Sequence, residues 1–490
     1  MRSGMGDRFH AEAKKNPAKI ALHCGAESVA YGELDRDVTR LAQWLLRAGL
    51  RPGDRVGIFW FNEIPAVTLY LACFRAGLIA LPVIWRMKAS ELSYILGHAK
   101  PAVFFSHPKL AAVADEAQQS SGHTCRIFTA LPTDLPEVDE AKLPPIETTQ
   151  PALIIYTSGT TARPKGVTHT HRTLGAAVEI MWGLGGNGVS VTTTSIMHPS
   201  GLYCIVLPSM MAGDTVVLVP VFDPMAVLDA IERHRCTSCI FLPSMAQFAV
   251  VEQMKKPRVV NSMQWIIAGG DSVPVALQKQ FQAAFGVPLR EGIAMTECCP
   301  MLANPVDAMR LGSVGLPMRY VEARVVNNDG RPIPDGEIGE LSVRSPCNFT
   351  GYWNNPEETA AALRDGWLFT GDLVRRDAEG YFWFQGRKKQ IIVRESYNIA
   401  PQEVEEVLYK NPAVLEAGVI GMPDPIFGEK VVAYVSLRPG QTATEAELRE
   451  FARQHLNDLK VPEKILFLAE LPKGLSGKVD RRALKEMAQP

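Results

Sequence analysis

The sequence predicts an α/β protein: a large N-terminal domain of doubly wound sheets carrying a small β subdomain, followed by a small α+β domain. From Lys19 to Phe105, apolar β-branched runs alternate with stretches at helical spacing, the pattern of strands and their crossover helices. After Arg310 this gives way to short strands and Gly/Pro turns, and residues 391–490 carry a helix–strand pattern of their own. At 490 residues the chain also exceeds the size that one core supports, so two or three domains are expected.

The first strand is Ile20 to Leu22. A helix follows from Tyr31-Gly-Glu-Leu34 through Leu46, with Leu34, Val38, Leu41 and Leu45 on one face. Strands are expected at Arg55 to Phe59, Ile79 to Val83 and Ala102 to Phe105, with helices at Ala66 to Phe74 and Ala89 to Leu96 between them. The most hydrophobic region, Ile64 to Val83, is interrupted by Arg75 and Gly77, so it reads as a helix ending at a glycine and then a short strand. No membrane span is expected. Residues 131–151 hold five prolines and several acids and read as a surface connection. Beyond it come a helix at Thr173 to Met181, strands at Val189 to Ser195 and Thr215 to Val219, a helix at Met225 to Arg233, and strands at Ile240 to Leu242 and Trp265 to Ala268. Short strands at Ala323 to Val326, Gly339 to Arg344 and Phe382 to Phe384 form the β subdomain, and Gly386 to Gln390 reads as a charged, solvated link. The last part places helices at Gln402 to Lys410 and Glu445 to Leu456, and strands at Glu416 to Ile420 and Lys430 to Ser436.

Composition excludes several classes. Fifty-one basic against 52 acidic residues give a net charge of −1 with no like-charge block, so nothing points to nucleic acid or an anionic membrane. Nine scattered cysteines form no disulfide framework, which suits a reducing cytoplasm. Cys236-Thr-Ser-Cys239 has no second pair at zinc spacing and reads as core packing. The N-terminus, Met1 to Asn16, is charged and lacks the apolar stretch of a signal peptide.

The stretch with the clearest chemistry is Tyr156-Thr-Ser-Gly-Thr-Thr-Ala-Arg-Pro-Lys-Gly-Val167, delivered by the buried strand Ala152 to Ile155. Thr157, Ser158, Gly159, Thr160 and Thr161 offer backbone N–H and hydroxyl donors with little bulk, and Lys165 adds a cation, so the loop suits phosphate. It is not a P-loop. Pro164 stands where the second glycine of that motif belongs, and Gly166 where its magnesium-binding hydroxyl belongs.

This loop resembles the phosphate loop of the adenylate-forming enzymes, the superfamily of acyl-CoA synthetases, adenylation domains and beetle luciferases, with Ala162 in place of a usual glycine. Further motifs follow in family order. Arg290-Glu-Gly-Ile-Ala-Met-Thr-Glu297 resembles the segment in which the glutamate, here Glu297, holds magnesium on ATP and the threonine, here Thr296, touches the α-phosphate. Ile293 stands where many members carry an adenine-stacking tyrosine, and Ala294 where they carry a glycine; Gly270-Asp271-Ser272 matches the loop on the other side of the adenine. Trp367-Leu-Phe-Thr-Gly-Asp372 and Gly386-Arg387 resemble the ribose-binding pair, Asp372 accepting from the two hydroxyls and Arg387 reaching the same sugar. His198 in Met197-His-Pro-Ser-Gly201 matches a histidine beside the reacting carboxylate. Its expected work is positioning, because a carboxylic acid is already ionised at neutral pH. Leu471-Pro-Lys-Gly-Leu-Ser-Gly-Lys478-Val-Asp-Arg481 resembles the C-terminal signature, with Lys478 the catalytic lysine; Lys473 and Arg481 are expected to be solvated charges.

The resemblance implies ATP, Mg2+ and coenzyme A as cofactors. A small-molecule carboxylic acid and ATP give an acyl-adenylate and pyrophosphate, and coenzyme A then captures the acyl group. It divides the chain into an AMP-binding domain at 1–385, a hinge at 386–390 pivoting on Gln390, and a mobile domain at 391–490. Gln390 departs from the acidic or lysine residue usual at that pivot, and Ser396 replaces a glycine in the loop expected to line the pantetheine tunnel. Both differences bear on the second half-reaction and leave two alternatives open: an enzyme whose acceptor is a carrier-protein thiol or an amine, and a degenerate nucleotide-binding protein. The segments around Trp182, Met197 to Tyr203, Gly269 and Ile293 to Met301, which supply the acid pocket in the family, are mainly apolar here. An aromatic or medium-chain acid is expected, and a second carboxylate disfavoured.

Overall fold

The computed structural model describes residues 3–157, 164–183, 188–394, 397–475 and 477–488. Of the residues singled out above, Ser158, Gly159, Thr160, Thr161, Ala162 and Ser396 lie outside the described residues. Four sheets are formed among the rest. The first runs, edge to edge, through Leu316–Pro317, Cys298–Ala303, Leu289–Met295, Trp265–Gly269, Ser238–Phe241, Val189–Val191, Thr215–Leu218, Ile20–Cys24 and Glu27–Ala30. Its centre is parallel and its margins are antiparallel. The second has a parallel half, Ile79–Ile84, Arg55–Trp60, Val103–Ser106 and Arg126–Phe128, joined through Pro151–Thr157 to the antiparallel strands Lys165–Thr170 and Gly351–Tyr352.

The helix Ile64–Ala76 explains why this region reads as the most hydrophobic of the chain. Every residue from Ala66 to Ala76 is buried, and the helix packs on the helices Met5–Ala13 and Tyr31–Arg47 and on strands of both large sheets. A helix apolar all round belongs inside a large core. Gly77 ends it at φ 69°, a conformation that costs glycine nothing. No helix among the described residues is long and apolar enough to cross a membrane. The charged N-terminus contributes to the same core, because Met5, Phe9 and Ala13 form the buried face of its helix.

Two smaller sheets complete the fold, the first antiparallel and the second antiparallel but for its edge strand Lys464–Phe467. One contains Glu322–Val326, Ile338–Arg344, Trp367–Arg376 and Phe382–Arg387. Gly386 and Arg387 therefore end a strand and do not belong to a free link. The other, Tyr397–Ile399, Ile392–Arg394, Gly428–Leu437 and Val414–Asp424 with Lys464–Phe467 alongside, carries its own core around Val404, Val419 and Val431. The expected strand at Val189 to Ser195 stops at Val191, since the next residues leave the sheet to approach the second one.

Asn62 makes that approach possible. Nearly fully buried at the carboxyl end of Arg55–Trp60, it donates from Nδ2 to the carbonyls of Thr194 and Val219, both at 3.0 Å, and accepts from the Ile196 N–H at 2.9 Å. One side chain thus satisfies three backbone groups of the other large sheet's loops, including the loop that leads to His198. Leaving a buried group unpaired costs about 1–3 kcal/mol. Asn62→Ala is expected to lower unfolding stability by roughly 3 kcal/mol in urea titration; a loss below about 0.5 kcal/mol, the range of an ordinary surface change, would contradict the assignment.

Candidate active site

A cavity of about 660 Å³ opens where the carboxyl ends of both large sheets meet. Ile84 and Thr157 reach it from one sheet, Ile240 and Gly269 from the other, each at or next to the end of its strand, the place where open α/β sheets bind ligands. Lys165, His198, Gly270, Ile293, Thr296, Glu297, Arg387, Gln390 and Lys478 line the same cavity. A side recess of about 110 Å³ is bounded by Gly270, Asp271, Ser272, Ile293, Asp372 and Arg387. Residues far apart in the sequence are thereby brought to one place.

Thr296 and Glu297 form the two-residue tip of a hairpin between Leu289–Met295 and Cys298–Ala303, and both are buried. The tip is held from behind. His169 bonds through Nε2 to the Thr296 carbonyl at 2.8 Å, which makes Nε2 the donor, while Nδ1 faces the Thr173 hydroxyl at 3.1 Å. Tyr352 donates to Glu297 Oε1 at 2.7 Å, and burial raises the Glu297 carboxyl above its ordinary range despite that bond. Lys165 ion-pairs with Glu358 and lies 4.9 Å over the Tyr352 ring. Among the described residues no group of three or more His, Cys, Asp or Glu could hold a metal. A single buried carboxylate fits magnesium that takes its remaining ligands from phosphate and water.

Asp372 and Arg387 face each other across adjacent strands, with Nε 2.9 Å from Oδ1. Burial raises the Asp372 carboxyl, against the pull of Arg387 and Lys478. A buried carboxylate at the wall of a recess, with acceptor capacity beyond its one ion pair, suits a hydroxyl-bearing ligand such as a ribose.

His198 is neutral. Burial, then the Lys478 ammonium, push its pKa down to about 3, and Nδ1 accepts from the Ser200 backbone N–H at 3.4 Å, which leaves the proton on Nε2. The ring can therefore donate from Nε2. Lys478 approaches Gly270, whose φ is 90°; a Cβ there would lie 3.1 Å from the lysine Cε. Burial and Arg387 lower the Lys478 pKa, and Asp271 and Asp372 oppose them.

Lys473 and Arg481, expected to be solvated, are not. Lys473 ion-pairs with the buried Glu416. Arg481 donates to both Glu405 oxygens at 2.7 and 2.8 Å and sits 3.7 Å from Asp271. Burial raises Asp271, but Arg481 and then Lys478 overcome it and hold its carboxyl below the usual range. Beside this cluster Glu406 accepts the Val275 N–H at 3.1 Å, at the first turn of the helix Val275–Phe285, and Arg438 donates to Gln280 at 3.2 Å. The contacts of Arg481 with Asp271, Glu406 with Val275 and Arg438 with Gln280 clasp the C-terminal part against the side recess, where Lys478 lines the cavity. No local pattern announces them, because each pair joins residues far apart in the chain.

Two predictions follow from this geometry. Asp372→Ala weakens ATP binding by roughly ten- to a hundredfold in calorimetry, the scale of lost hydrogen bonds to a charge; unchanged affinity would sink the assignment. Burial also holds His169 and His171 near pKa 4, below their unfolded value, so the folded chain keeps them neutral. Their contribution is fully present above about pH 6.5 and is lost as pH falls toward 4, roughly 2 kcal/mol for each at pH 5. His169→Gln is expected to shrink the stability difference between pH 7 and pH 5 by about that 2 kcal/mol, and an unaltered difference would mean that His169 titrates normally.

The chain is similar along most of its length to known proteins. Sulfoacetate–CoA ligase of Cupriavidus necator is 34% identical over 471 residues, covering 93% of this chain and 92% of the relative. Feruloyl-CoA synthase of an Amycolatopsis species is 34% identical over 482 residues, 97% of each chain. The anthranilate CoA ligase AuaEII, solved in complex with anthranoyl-AMP, has a TM-score of 0.92 at 25% identity, over 100% of this chain and 98% of that one. Residues 9–353 match the AMP-binding enzyme family and residues 403–478 match the AMP-binding enzyme C-terminal domain, and the chain belongs to this family.

Proposed function

We propose that the cavity performs an AMP-forming acid–thiol ligation. A carboxylate oxygen attacks the α-phosphorus of ATP and pyrophosphate leaves; the thiol of coenzyme A then attacks the acyl carbon, giving a thioester, AMP and a proton. The observation that carries this reading is the convergence of Lys478, His198 and Glu297 on one cavity, with Asp372 in the side recess that Lys478 also lines. Lys478 offsets the repulsion between carboxylate and phosphate and stabilises charge on the phosphoryl oxygens as it develops. His198 Nε2–H orients the acid's carboxylate. Asp372 and Arg387 hold the ribose, Gly270 to Ser272 and Ile293 flank the adenine, and Thr157, Lys165 and the loop 158–161 hold the phosphates. Glu297 would hold magnesium on the nucleotide, where the ion supplies charge neutralisation when bound.

The clasp around Arg481 is made for the first half-reaction. For the second, residues 391–490 turn about Gln390, and the loop containing Ser396 faces the pantetheine arm. The free thiols of the nine cysteines fit a reducing cytoplasm. Gln390 and Ser396, which depart from the family pattern, favour a second reading in which the acceptor is a carrier-protein thiol or an amine.

Lys478→Ala is expected to lower adenylate formation by roughly two to three powers of ten while leaving capture of a supplied acyl-adenylate by coenzyme A nearly intact. Equal loss in both steps would refute its role. Arg481→Gln gives the same split at smaller size, about tenfold, because it loosens the clasp without removing the ammonium. Adenylate that accumulates with free coenzyme A, yet is discharged by a carrier protein or an amine, decides for the second reading.

A further inference from the structure

Resting on the ligase reading, we propose that the acid site takes an uncharged, apolar acyl group packed against the paired thiols of Cys204 and Cys299, and excludes acids bearing a second anionic group.

The cavity has two chemically distinct ends. Its cations, Lys165, Arg364, Arg387, Lys388, Lys389 and Lys478, belong to the phosphate strand, the small antiparallel sheet with the turn that follows it, and the C-terminal signature. Beyond His198 the cavity enters the largest hydrophobic core, where its walls are Met181, Cys204, Ile240, Ile267, Cys299 and Met318, none more than 9% exposed. No lysine or arginine is among the described wall residues at this end. Residues 184–187, outside the described residues, read Leu-Gly-Gly-Asn and bring no cation. Arg319, next to Met318, is exposed and lies 4.6 Å over the Tyr320 ring.

Two titratable groups at this end are held neutral. His198 is held uncharged, and Cys299 is held as a thiol by the hydrogen bond with Cys204, Sγ to Sγ 3.3 Å, and by burial. Glu297 also lines the cavity, and its carboxylate would repel a second anion. A buried anion without a partner is strongly disfavoured, whereas each methylene buried in such a site strengthens binding roughly fourfold.

The backbone supports the same conclusion independently. Leu202–Val206 is a π-helical turn set into the helical run from Pro199 to Ala212, and Cys204 is at its centre. Such turns sacrifice regular hydrogen bonding and concentrate at functional sites because they re-aim a side chain. Here the turn presents Cys204 to the cavity and to Cys299, so that two small polarisable groups stand where a larger aliphatic residue would fill the space.

The test uses matched acids on the wild-type protein. Pyrophosphate exchange into ATP is measured with hexanoate against adipate, with 3-phenylpropionate against its 4-sulfo derivative, and with sulfoacetate. In parallel, methyl methanethiolsulfonate labels the thiols, and peptide mass spectrometry follows Cys204 and Cys299 with and without each acid. The expected result is a kcat/KM at least a hundredfold higher for at least one uncharged acid than for its anionic counterpart, with that acid alone slowing labelling of both thiols. Activation of adipate or sulfoacetate within tenfold of the best uncharged acid would overturn the proposal. Absence of exchange with every acid defeats the ligase reading; protection by the uncharged acids then still supports the pocket, and equal protection by adipate rejects it. Cys204→Phe is expected to abolish exchange with phenylpropionate while keeping it with propionate, which also reports that the variant folds; equal loss or equal retention of both acids would count against Cys204 as the wall.

Discussion

Opposite charges brought out of water must find each other, and the arrangement of this molecule follows from where they do so. Asp372, Arg387 and Lys478 share one recess, and Asp271, Arg481 and Glu405 a second one beside it. Asp372 pairs with Arg387 across adjacent strands, and Glu405 pairs with Arg481 within the C-terminal part; docking adds Lys478 to the first set and Asp271 to the second. Removing one partner of such a set strands the others at low dielectric, which costs far more than a surface ion pair is worth. The clasp is therefore strong while the charges match. It becomes sensitive to any reaction that changes the charge within the recess, and converting ATP to AMP with loss of pyrophosphate is such a change.

The same logic separates the two ends of the cavity. Charges line one end, and the deep end is built from thioethers, thiols and aliphatic side chains of the main core. Where they meet stands His198, a ring kept neutral by burial. A neutral donor can orient a carboxylate without the cost of neutralising it, which leaves the carboxylate nucleophilic.

Much of this was legible in sequence where a function is written locally. The phosphate strand, the Thr296–Glu297 tip, the Asp372 segment and the Lys478 signature each occupy a short contiguous run, and alternating periodicity located most strands and helices within a few residues. Arg481 was misread because a single arginine in a polar stretch looks solvated, and only the tertiary structure brings Glu405 and Asp271 to it. Asn62 gave no signal, since its partners are backbone groups of another sheet. Val189 to Ser195 was read as one strand because its β-branched composition continues past the point where pairing stops; the segment instead leaves the sheet to meet Asn62. The π-helical turn at Leu202–Val206 was invisible for a related reason, as nothing in Leu-Tyr-Cys-Ile-Val distinguishes a widened turn from an ordinary one.

The central claim is that a carboxylate oxygen of the acid bonds directly to the α-phosphorus of ATP. The most direct measurement follows that oxygen. An acid labelled with oxygen-18 in both carboxylate positions is converted with ATP and coenzyme A, and the products are weighed by mass spectrometry. The account predicts one labelled oxygen in AMP for each thioester formed and none in pyrophosphate. Label in pyrophosphate or inorganic phosphate, or thioester formed with unlabelled AMP, would contradict it.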